Sequence, residues 1–259
     1  MNIYEKIVRK SSILYHTIII SCNWMEFLKN HFNHRKKTMI LKFRNGCSFL
    51  VRPYESDVTM LMETWGVGDY TPKGFEIKEK DVVFDIGTHI GSFSILAAKK
   101  AKSGKVFSFE PLPDNYKIFS KNINLNKLKN IKAYNLAVAS KKGTQKLFLY
   151  EGAHTGSSSL YRRNTDNFLK IKTDTIQNIM NVNHIKRINF MKIDCEGAEY
   201  DILFNLPKNV LNNIEKISME YHDTINEHKH QDLLEFFHKN KWTTRCTDNM
   251  IYAKNPLRK

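Results

Sequence analysis

The sequence predicts an α/β fold: a central, mostly parallel sheet with helices on both faces, a C-terminal antiparallel hairpin and an N-terminal extension of helices and a hairpin. Residues 82–86 form a continuous apolar run, as expected of a parallel strand that is buried on both faces. From residue 80 onward, strand-like and helix-like stretches alternate, which is typical of βα units with right-handed crossovers. The last two strand-like stretches, 242–247 and 250–254, are joined by two residues and should therefore pair antiparallel.

We divide the chain into an N-terminal extension, residues 1–78, and a main domain, residues 79–259. Asn45-Gly46 lies between two short apolar stretches, and this dipeptide favours a tight hairpin turn. The extension is accordingly predicted to contain one or two helices in 1–37, a hairpin in 39–52 and a helix in 57–65. We expect it to cover part of the site formed by the main domain.

The main domain is predicted to continue as repeated strands and helices. Residues 151–170 are polar and rich in glycine and serine, so we expect a long loop there, and such loops are usually functional. The other predicted elements are strands at 106–109, 131–139, 146–150, 188–193 and 214–221, and helices at 90–100, 114–126, 198–206 and 230–240.

The formal net charge of +15 has two interpretations. It could attract a phosphate-bearing partner, such as RNA or an anionic membrane. Alternatively, it reflects a general excess of lysine and asparagine, visible in residues 121–127. Because the lysines are scattered and no arginine-rich arm or basic/aromatic platform is present, we favour the second interpretation and expect no specific nucleic-acid partner.

The cysteines and the N-terminal region bear on localisation. The four cysteines are far apart and form no CxxC pair, so neither a zinc knuckle nor a disulfide framework is expected, and a cytoplasmic location is the simplest interpretation. The apolar stretch Ile13–Ile20 is too short to span a bilayer. It predicts a packed helix or, alternatively, one in peripheral contact with a membrane.

A glycine turn, Asp85-Ile86-Gly87-Thr88-His89-Ile90-Gly91, connects a buried strand to a helix. Gly87 permits positive φ, and we expect Gly91 to let the start of the helix approach a ligand closely. The spacing is GxxxG rather than the GxGxxG of dinucleotide-binding proteins. An acid at Asp85 would repel a pyrophosphate but suits a cationic ligand, which favours S-adenosylmethionine (SAM), with its sulfonium and ammonium groups, over NAD.

Acidic residues follow three further strands. Glu110 ends the second strand, about where an acid accepts hydrogen bonds from ribose hydroxyls in Rossmann folds. Asp194 and Glu196 follow the strand at 188–193, where they could act as a base, a metal ligand, a partner for a sulfonium or helix caps. Glu220 and His222 lie two residues apart at the next strand end, so they should point to the same side, with His222 as a neutral general base.

Together these motifs resemble the FkbM family of SAM-dependent methyltransferases over about residues 40–225. The resemblance rests on the glycine turn, Phe109-Glu110-Pro111, Asn122 with Asn126, Asn135-Leu136-Ala137, Gly156 with Ser158-Ser159-Leu160, and the 192–199 motif Lys-Ile-Asp-Cys-Glu-Gly-Ala-Glu. It implies a Rossmann-like class I methyltransferase fold, SAM as the cofactor, and O-methylation of a hydroxyl or carboxyl group on a sugar, a lipid or another metabolite. The turn departs from the family pattern at two positions, with Thr88 in place of alanine and His89 in place of asparagine.

The motifs, the chemistry of methyl transfer and the resemblance together assign roles to residues of the site. The cofactor-binding set is Asp85, Gly87, Thr88, His89, Gly91, Glu110, Pro111, Ala137 and Asp194. The substrate-binding set is Glu63, Tyr70, Ser158 and Glu220. The candidates for the base are, in order, Asp194, His222 and Glu196.

Several alternatives remain open from the sequence. No metal is assigned, although Asp194 and Glu220 could hold one that acidifies the acceptor hydroxyl. Arg162 and Arg163 could hold an anionic acceptor or could be solvated loop residues. We expect a small-molecule or glycan acceptor; the alternatives are an RNA methyltransferase and a non-catalytic Rossmann-like binding protein. The sequence does not define the oligomeric state.

Overall fold

The computed structural model describes residues 3–32, 38–52, 56–149, 159–160, 167–223, 227–247 and 249–257. Ser158, Arg162 and Arg163 lie outside these residues, as does most of the predicted loop 151–170. The predictions for these positions therefore stay predictions.

The described residues contain nine α-helices, one π-helix and twelve strands. The helices are α1 Ile3–Ile20, α2 Trp24–Phe32, α3 Asp57–Met62, the π-helix Glu63–Val67, α4 Ser92–Lys100, α5 Pro113–Leu125, α6 Ile176–Val182, α7 Glu199–Phe204, α8 Lys208–Leu211 and α9 His230–Lys239. The strands are β1 Met39–Lys42, β2 Ser48–Val51, β3 Val82–Ile86, β4 Lys105–Phe109, β5 Ile131–Tyr134, β6 Ala137–Val138, β7 Gly143–Phe148, β8 Phe168–Asp174, β9 Ile188–Ile193, β10 Ile214–Glu220, β11 Thr243–Cys246 and β12 Met250–Lys254.

Seven of the strands form the central sheet, in the order β11-β12-β10-β9-β3-β4-β5. The strands β10, β9, β3, β4 and β5 run parallel, and only β12 runs antiparallel to its neighbours β10 and β11. The chain moves outward from β3 to β5 and later returns to place β9 on the other side of β3. This reversal is a topological switch point, and open α/β sheets bind ligands outside the carboxyl ends of the strands there. The predicted fold, including the closing hairpin, is confirmed.

The predicted strand at 131–139 is wrong as a single element. It breaks after Tyr134 because the Asn135 side chain donates hydrogen bonds to the backbone oxygens of Glu110 (2.8 Å) and Pro111 (3.1 Å), which turns the chain out of the sheet. Ala137 and Val138 then form the short strand β6. This strand pairs with β8, which in turn pairs with β7, so the three strands form a separate sheet. The predicted loop 151–170 also ends early, since β8 begins at Phe168.

The N-terminal hairpin packs directly on the main domain. Buried side chains of β1, β2 and α3 share one apolar cluster with Ile90, Ile95 and Ile118. The Asn122 amide on α5 also bridges the backbone of β2, because it accepts from the Leu50 N–H (2.6 Å) and donates to the Ile90 oxygen (2.9 Å). The extension is therefore anchored beside the glycine turn. Among the described residues, no helix is long and apolar enough to cross a membrane.

Candidate active site

The glycine turn requires a residue without a side chain at Gly87. Its φ is +79°, and a Cβ there would lie 1.6 Å from the backbone oxygen of Asp194. The ends of β3 and β9 are this close because the Asp194 N–H donates to the Ile86 oxygen at 3.0 Å. The carboxyl ends of β3 and β9 are therefore in direct contact at the glycine turn, which lies at the switch point.

Gly91 has a different role from the one predicted. It adopts φ +91° just before α4, and a Cβ there would lie 2.2 Å from the Phe119 ring on α5. The glycine is therefore required by helix packing, and the close approach of the helix start to a ligand stays a prediction.

His89 occupies the turn with φ +54°, a left-handed conformation that asparagine and histidine adopt more readily than most residues. Its N–H donates to a Glu110 carboxylate oxygen at 2.7 Å, and its ring lies 3.6 Å from Asp57. Burial lowers the pKa of His89 to about 4, so the ring is neutral at physiological pH. Thr88 is buried in the same turn and donates to the Asp85 backbone oxygen.

A first cleft of about 630 Å³, including the part open to solvent, lies over the glycine turn. Glu110 forms one wall and accepts from the N–H groups of His89 (2.7 Å) and Leu112 (3.0 Å). Burial raises the pKa of Glu110 to about 7. The other walls are largely apolar and include Pro111, Leu112, Ala137, Val138, Leu147 and Leu160.

Asp85 does not face this cleft, which corrects its predicted contact with the cofactor. It is fully buried beneath the turn, where it accepts from the Ser94 hydroxyl and lies 3.4 Å from the Lys192 ammonium. Lys192 also donates to the Gly87 oxygen at 2.6 Å. Sequence reasoning missed Lys192, although a lysine within an otherwise apolar strand is a signal for a buried charge partner.

A second cleft adjoins the first and shares Gly87, His89 and Asp194 with it. Its polar walls also include Glu63, Tyr70, Thr88, Lys192 and Glu220. The structure thus brings together the described members of the predicted substrate-binding set.

Asp194 lies where the two clefts meet. Its carboxylate accepts from the Tyr70 hydroxyl at 2.8 Å and lies 3.3 Å from the Lys192 ammonium. Burial alone would raise the pKa of Asp194, but the positive charges of Lys192 and His222 and the Tyr70 hydrogen bond outweigh it and lower the pKa. Asp194 is therefore ionised and is a weak proton acceptor.

His222 cannot be the neutral base that the sequence predicted. Its Nδ1 lies 2.9 Å from the fully buried carboxylate of Glu199, and its Nε2 lies 3.9 Å from Glu196. Burial alone would lower the pKa of His222, but the hydrogen bond and charge of Glu199, together with Asp194 and Glu196, raise it to about 10. The imidazole is consequently a cation near pH 7. Glu199 was missed as a site residue, although it belongs to the 192–199 motif.

Glu196 and Glu220 both lie near this cation. Glu196 adopts φ +53° and lines the first cleft, while the Ser159 hydroxyl donates to its backbone oxygen. Glu220 lines the second cleft, and burial followed by the charge of Asp194 raises its pKa to about 7. Asp194, Glu220 and His222 each offer a ligand atom within 4.8 Å of the others, which is compatible with a metal ion. Lys192 and protonated His222 already supply positive charge there.

The Methyltransferase FkbM domain family matches residues 85–246, from the glycine turn to the end of β11. This match covers more than half of the chain. The chain belongs to the FkbM methyltransferase family. It is accordingly a SAM-dependent methyltransferase domain, which removes the non-catalytic alternative.

Individual relatives and solved structures share low sequence identity with this chain. Methyltransferase 1 of Beauveria bassiana is 25% identical over 162 residues, or 55% of this chain and 65% of the relative. Hexuronic acid methyltransferase AglP of Haloferax volcanii is 23% identical over 172 residues, or 66% of this chain and 67% of the relative. The matched region thus spans about two thirds of each of these relatives. A Methylobacillus flagellatus FkbM methyltransferase structure has a TM-score of 0.47 at 13% identity, covering 77% of this chain and 54% of that one.

The residues of the first cleft fit the SAM cofactor of the FkbM family. The Glu110 carboxylate has lone pairs available for a ribose diol, and the apolar wall suits an adenine ring. Asp194 and Glu196 provide negative charge for a cationic ligand at the junction of the clefts. The preference for a cation thus comes from these two acids rather than from Asp85.

Proposed function

We propose that this FkbM protein transfers the methyl group of SAM to a hydroxyl group on a neutral, polyhydroxylated acceptor such as a sugar. The observation that carries this proposal is the acidic second cleft, in which Glu63, Asp194 and Glu220 lie beside the glycine turn. Such side chains accept hydrogen bonds from hydroxyl groups.

Bound SAM supplies an electrophilic methyl group, and the chain must position it. In this proposal Glu110 holds the ribose hydroxyls, while Leu112, Ala137 and Val138 contact the adenine. Lys192 acts from beneath the turn, because it fixes the backbone of Gly87 and the carboxylate of Asp194 together. Alignment of the reacting groups is a large contribution to a displacement reaction.

The charge of the second cleft distinguishes between the two acceptor chemistries that the sequence left open. The second cleft is lined by three carboxyl groups, Glu63, Asp194 and Glu220, and by one ammonium, Lys192, so a carboxylate acceptor would meet more negative than positive side chains there. A hydroxyl acceptor meets no such repulsion. The relationship to a hexuronic acid methyltransferase supports a sugar acceptor but not its neutrality, because a hexuronic acid carries a carboxyl group. The same acids disfavour the phosphate backbone of RNA.

A hydroxyl nucleophile needs a proton acceptor, and the structure changes the predicted order of candidates. His222 is already protonated, and the pKa of Asp194 is lowered. Glu220 has a pKa near 7, which suits a general base at physiological pH. We therefore assign the base to Glu220 and the orientation of the acceptor hydroxyl to Asp194 and Tyr70.

The test is incubation with methyl-labelled SAM and separate fractions of neutral glycans, acidic glycans, lipids and RNA from the source cell. Label should enter a hydroxyl of the neutral glycan or glycolipid fraction, as an ether that resists mild base. A base-labile methyl ester or labelled RNA would contradict the proposal. Glu220→Gln separates the two chemistries further, since a carboxylate acceptor needs no base and much of the activity would then remain.

A further inference from the structure

A groove lies between α1 and the π-helix, outside the two clefts. We call it the α1 groove. Val8 and Ile13 on α1 and Met62 and Val67 on the opposite side form its apolar part, and its polar lining residues are Arg9, Ser12, His16, Glu63 and Asp69. It encloses about 790 Å³ of space, including the part open to solvent. Val8 and Val67 are 49% and 55% exposed, so the groove opens at the surface.

The α1 groove adjoins the second cleft. Glu63 lines both of them. Asp69 lines the groove, and the following residue, Tyr70, lines the cleft. This boundary is held in place because Tyr252 donates to the Asp69 backbone oxygen at 2.6 Å and Arg9 forms an ion pair with Glu63.

The two compartments differ sharply in chemistry. The second cleft presents carboxylates, a phenol and the Lys192 ammonium, whereas the α1 groove combines partly exposed aliphatic side chains with the charged residues Arg9, Glu63 and Asp69. Ligand pockets are commonly lined by apolar side chains together with a few polar groups, so this groove could take an apolar group of a ligand. A single molecule that occupies both compartments must have a hydroxylated head and an apolar tail.

We infer that the acceptor is an amphipathic glycoside, whose sugar lies in the second cleft and whose alkyl chain lies in the α1 groove. This inference rests on the proposed function and narrows its substrate class. It also gives α1 a role in binding the acceptor: the helix forms one wall of the tail site.

The probes are butyl, hexyl and octyl β-glucoside, each below its critical micelle concentration, titrated by calorimetry into protein saturated with S-adenosylhomocysteine. Affinity should rise about fourfold per added methylene, which corresponds to ~0.8 kcal/mol per buried CH₂. The double variant Val8→Asn/Val67→Asn should lose most of this dependence on chain length. The matched control is Ile19→Asn/Val182→Asn, which changes two apolar residues of similar exposure, 53% and 66%, away from the groove.

Affinity in the wild-type protein that does not depend on chain length would overturn the inference, and this measurement needs no variant. Equal weakening by the groove and control variants would also overturn it, since it would indicate adsorption to apolar surface in general. Two other results would show that the proposed function itself fails. These are the absence of S-adenosylhomocysteine binding, and methyl label that enters only acidic glycans or RNA. If label enters a neutral glycan and chain length has no effect, only the inference fails.

Discussion

At the scale of single residues, the site depends on a few buried charges that set one another's protonation. Lys192 lies between Asp85 and Asp194, and Glu199 holds His222 as a cation. These pairs leave Glu220 as the carboxyl group whose pKa lies nearest to neutrality in the second cleft. Catalytic roles therefore follow from the arrangement of charges rather than from residue type alone.

The first prediction concerns Glu220. At saturating SAM, kcat should rise about tenfold per pH unit below pH 7 and level off above it, since the base must be ionised. Glu220→Gln should lower kcat by about 10²- to 10⁴-fold and abolish this rise. Because the pKa of Glu110 also lies near 7, Glu110→Gln is the control: it should keep the pH dependence of kcat. A Glu220→Gln enzyme with an unchanged pH profile would refute the assignment.

The second prediction concerns Glu199 and stability. The pKa of His222 is raised from its ordinary value near 6.5 to about 10. The interaction of protonated His222 with Glu199 therefore stabilises the folded state fully below pH 6.5, and this contribution is lost as pH rises through about 10. Glu199→Gln should lower the free energy of unfolding by about 2 kcal/mol more at pH 6 than at pH 10. Urea titrations at both pH values measure this difference.

The control for Glu199 is Glu235→Gln, which removes an exposed helical acid that pairs with Lys239. It should change stability by less than about 0.5 kcal/mol at either pH. A Glu199→Gln effect that is equal at pH 6 and pH 10 would mean that His222 is not held as a cation.

At the scale of elements, Asn122 and Asn126 on α5 attach the N-terminal hairpin to the main domain. Asn122 is fully buried and bonds the backbone of both β2 and the glycine turn, and Asn126 donates to the Ser48 oxygen at 2.7 Å. These two asparagines were part of the resemblance to the FkbM family, and the structure supplies their physical role. They position the hairpin and α3 beside the clefts.

The third prediction follows from this attachment. Asn122→Ala leaves buried backbone groups of Leu50 and Ile90 without their partner, which should lower the free energy of unfolding by about 2–3 kcal/mol. Asn124→Ala, on the exposed side of the same helix, should change it by less than about 0.5 kcal/mol. Chemical denaturation of both variants checks this, and equal effects would show that the amide contacts contribute little.

The elements that sequence could predict are those with local signals. The apolar run of β3, the glycines after it and the short hairpins are encoded within a few residues, and all of them appear where expected. The break between β5 and β6 could not be predicted, because it depends on Asn135 bonding to the backbone of Glu110, 25 residues away. Likewise, the role of Lys192 appears only when the sheet register places it beside Asp85.

At the scale of the whole molecule, the site takes residues from both sides of the predicted boundary at residues 78 and 79. Glu63 and Tyr70 come from the N-terminal extension, while Asp194 and Glu220 come from the ends of β9 and β10. The boundary stays a prediction, and residues of the site lie on both sides of it.

The chain as a whole carries a formal charge of +15, yet carboxyl groups outnumber the single ammonium in its second cleft. The net charge of the chain therefore does not indicate the charge of the residues that line the second cleft.

The central claim is that SAM binds over the glycine turn with its ribose held by Glu110. The most direct measurement is a calorimetric titration of S-adenosylhomocysteine at pH 8, where Glu110 is ionised, into wild type, Glu110→Gln and the control Asp114→Asn, which removes an exposed acid four residues later. The account predicts one-to-one binding to wild type and Asp114→Asn, and binding weakened about 10- to 100-fold in Glu110→Gln. No binding to wild type, or equal affinity in Glu110→Gln, would contradict it.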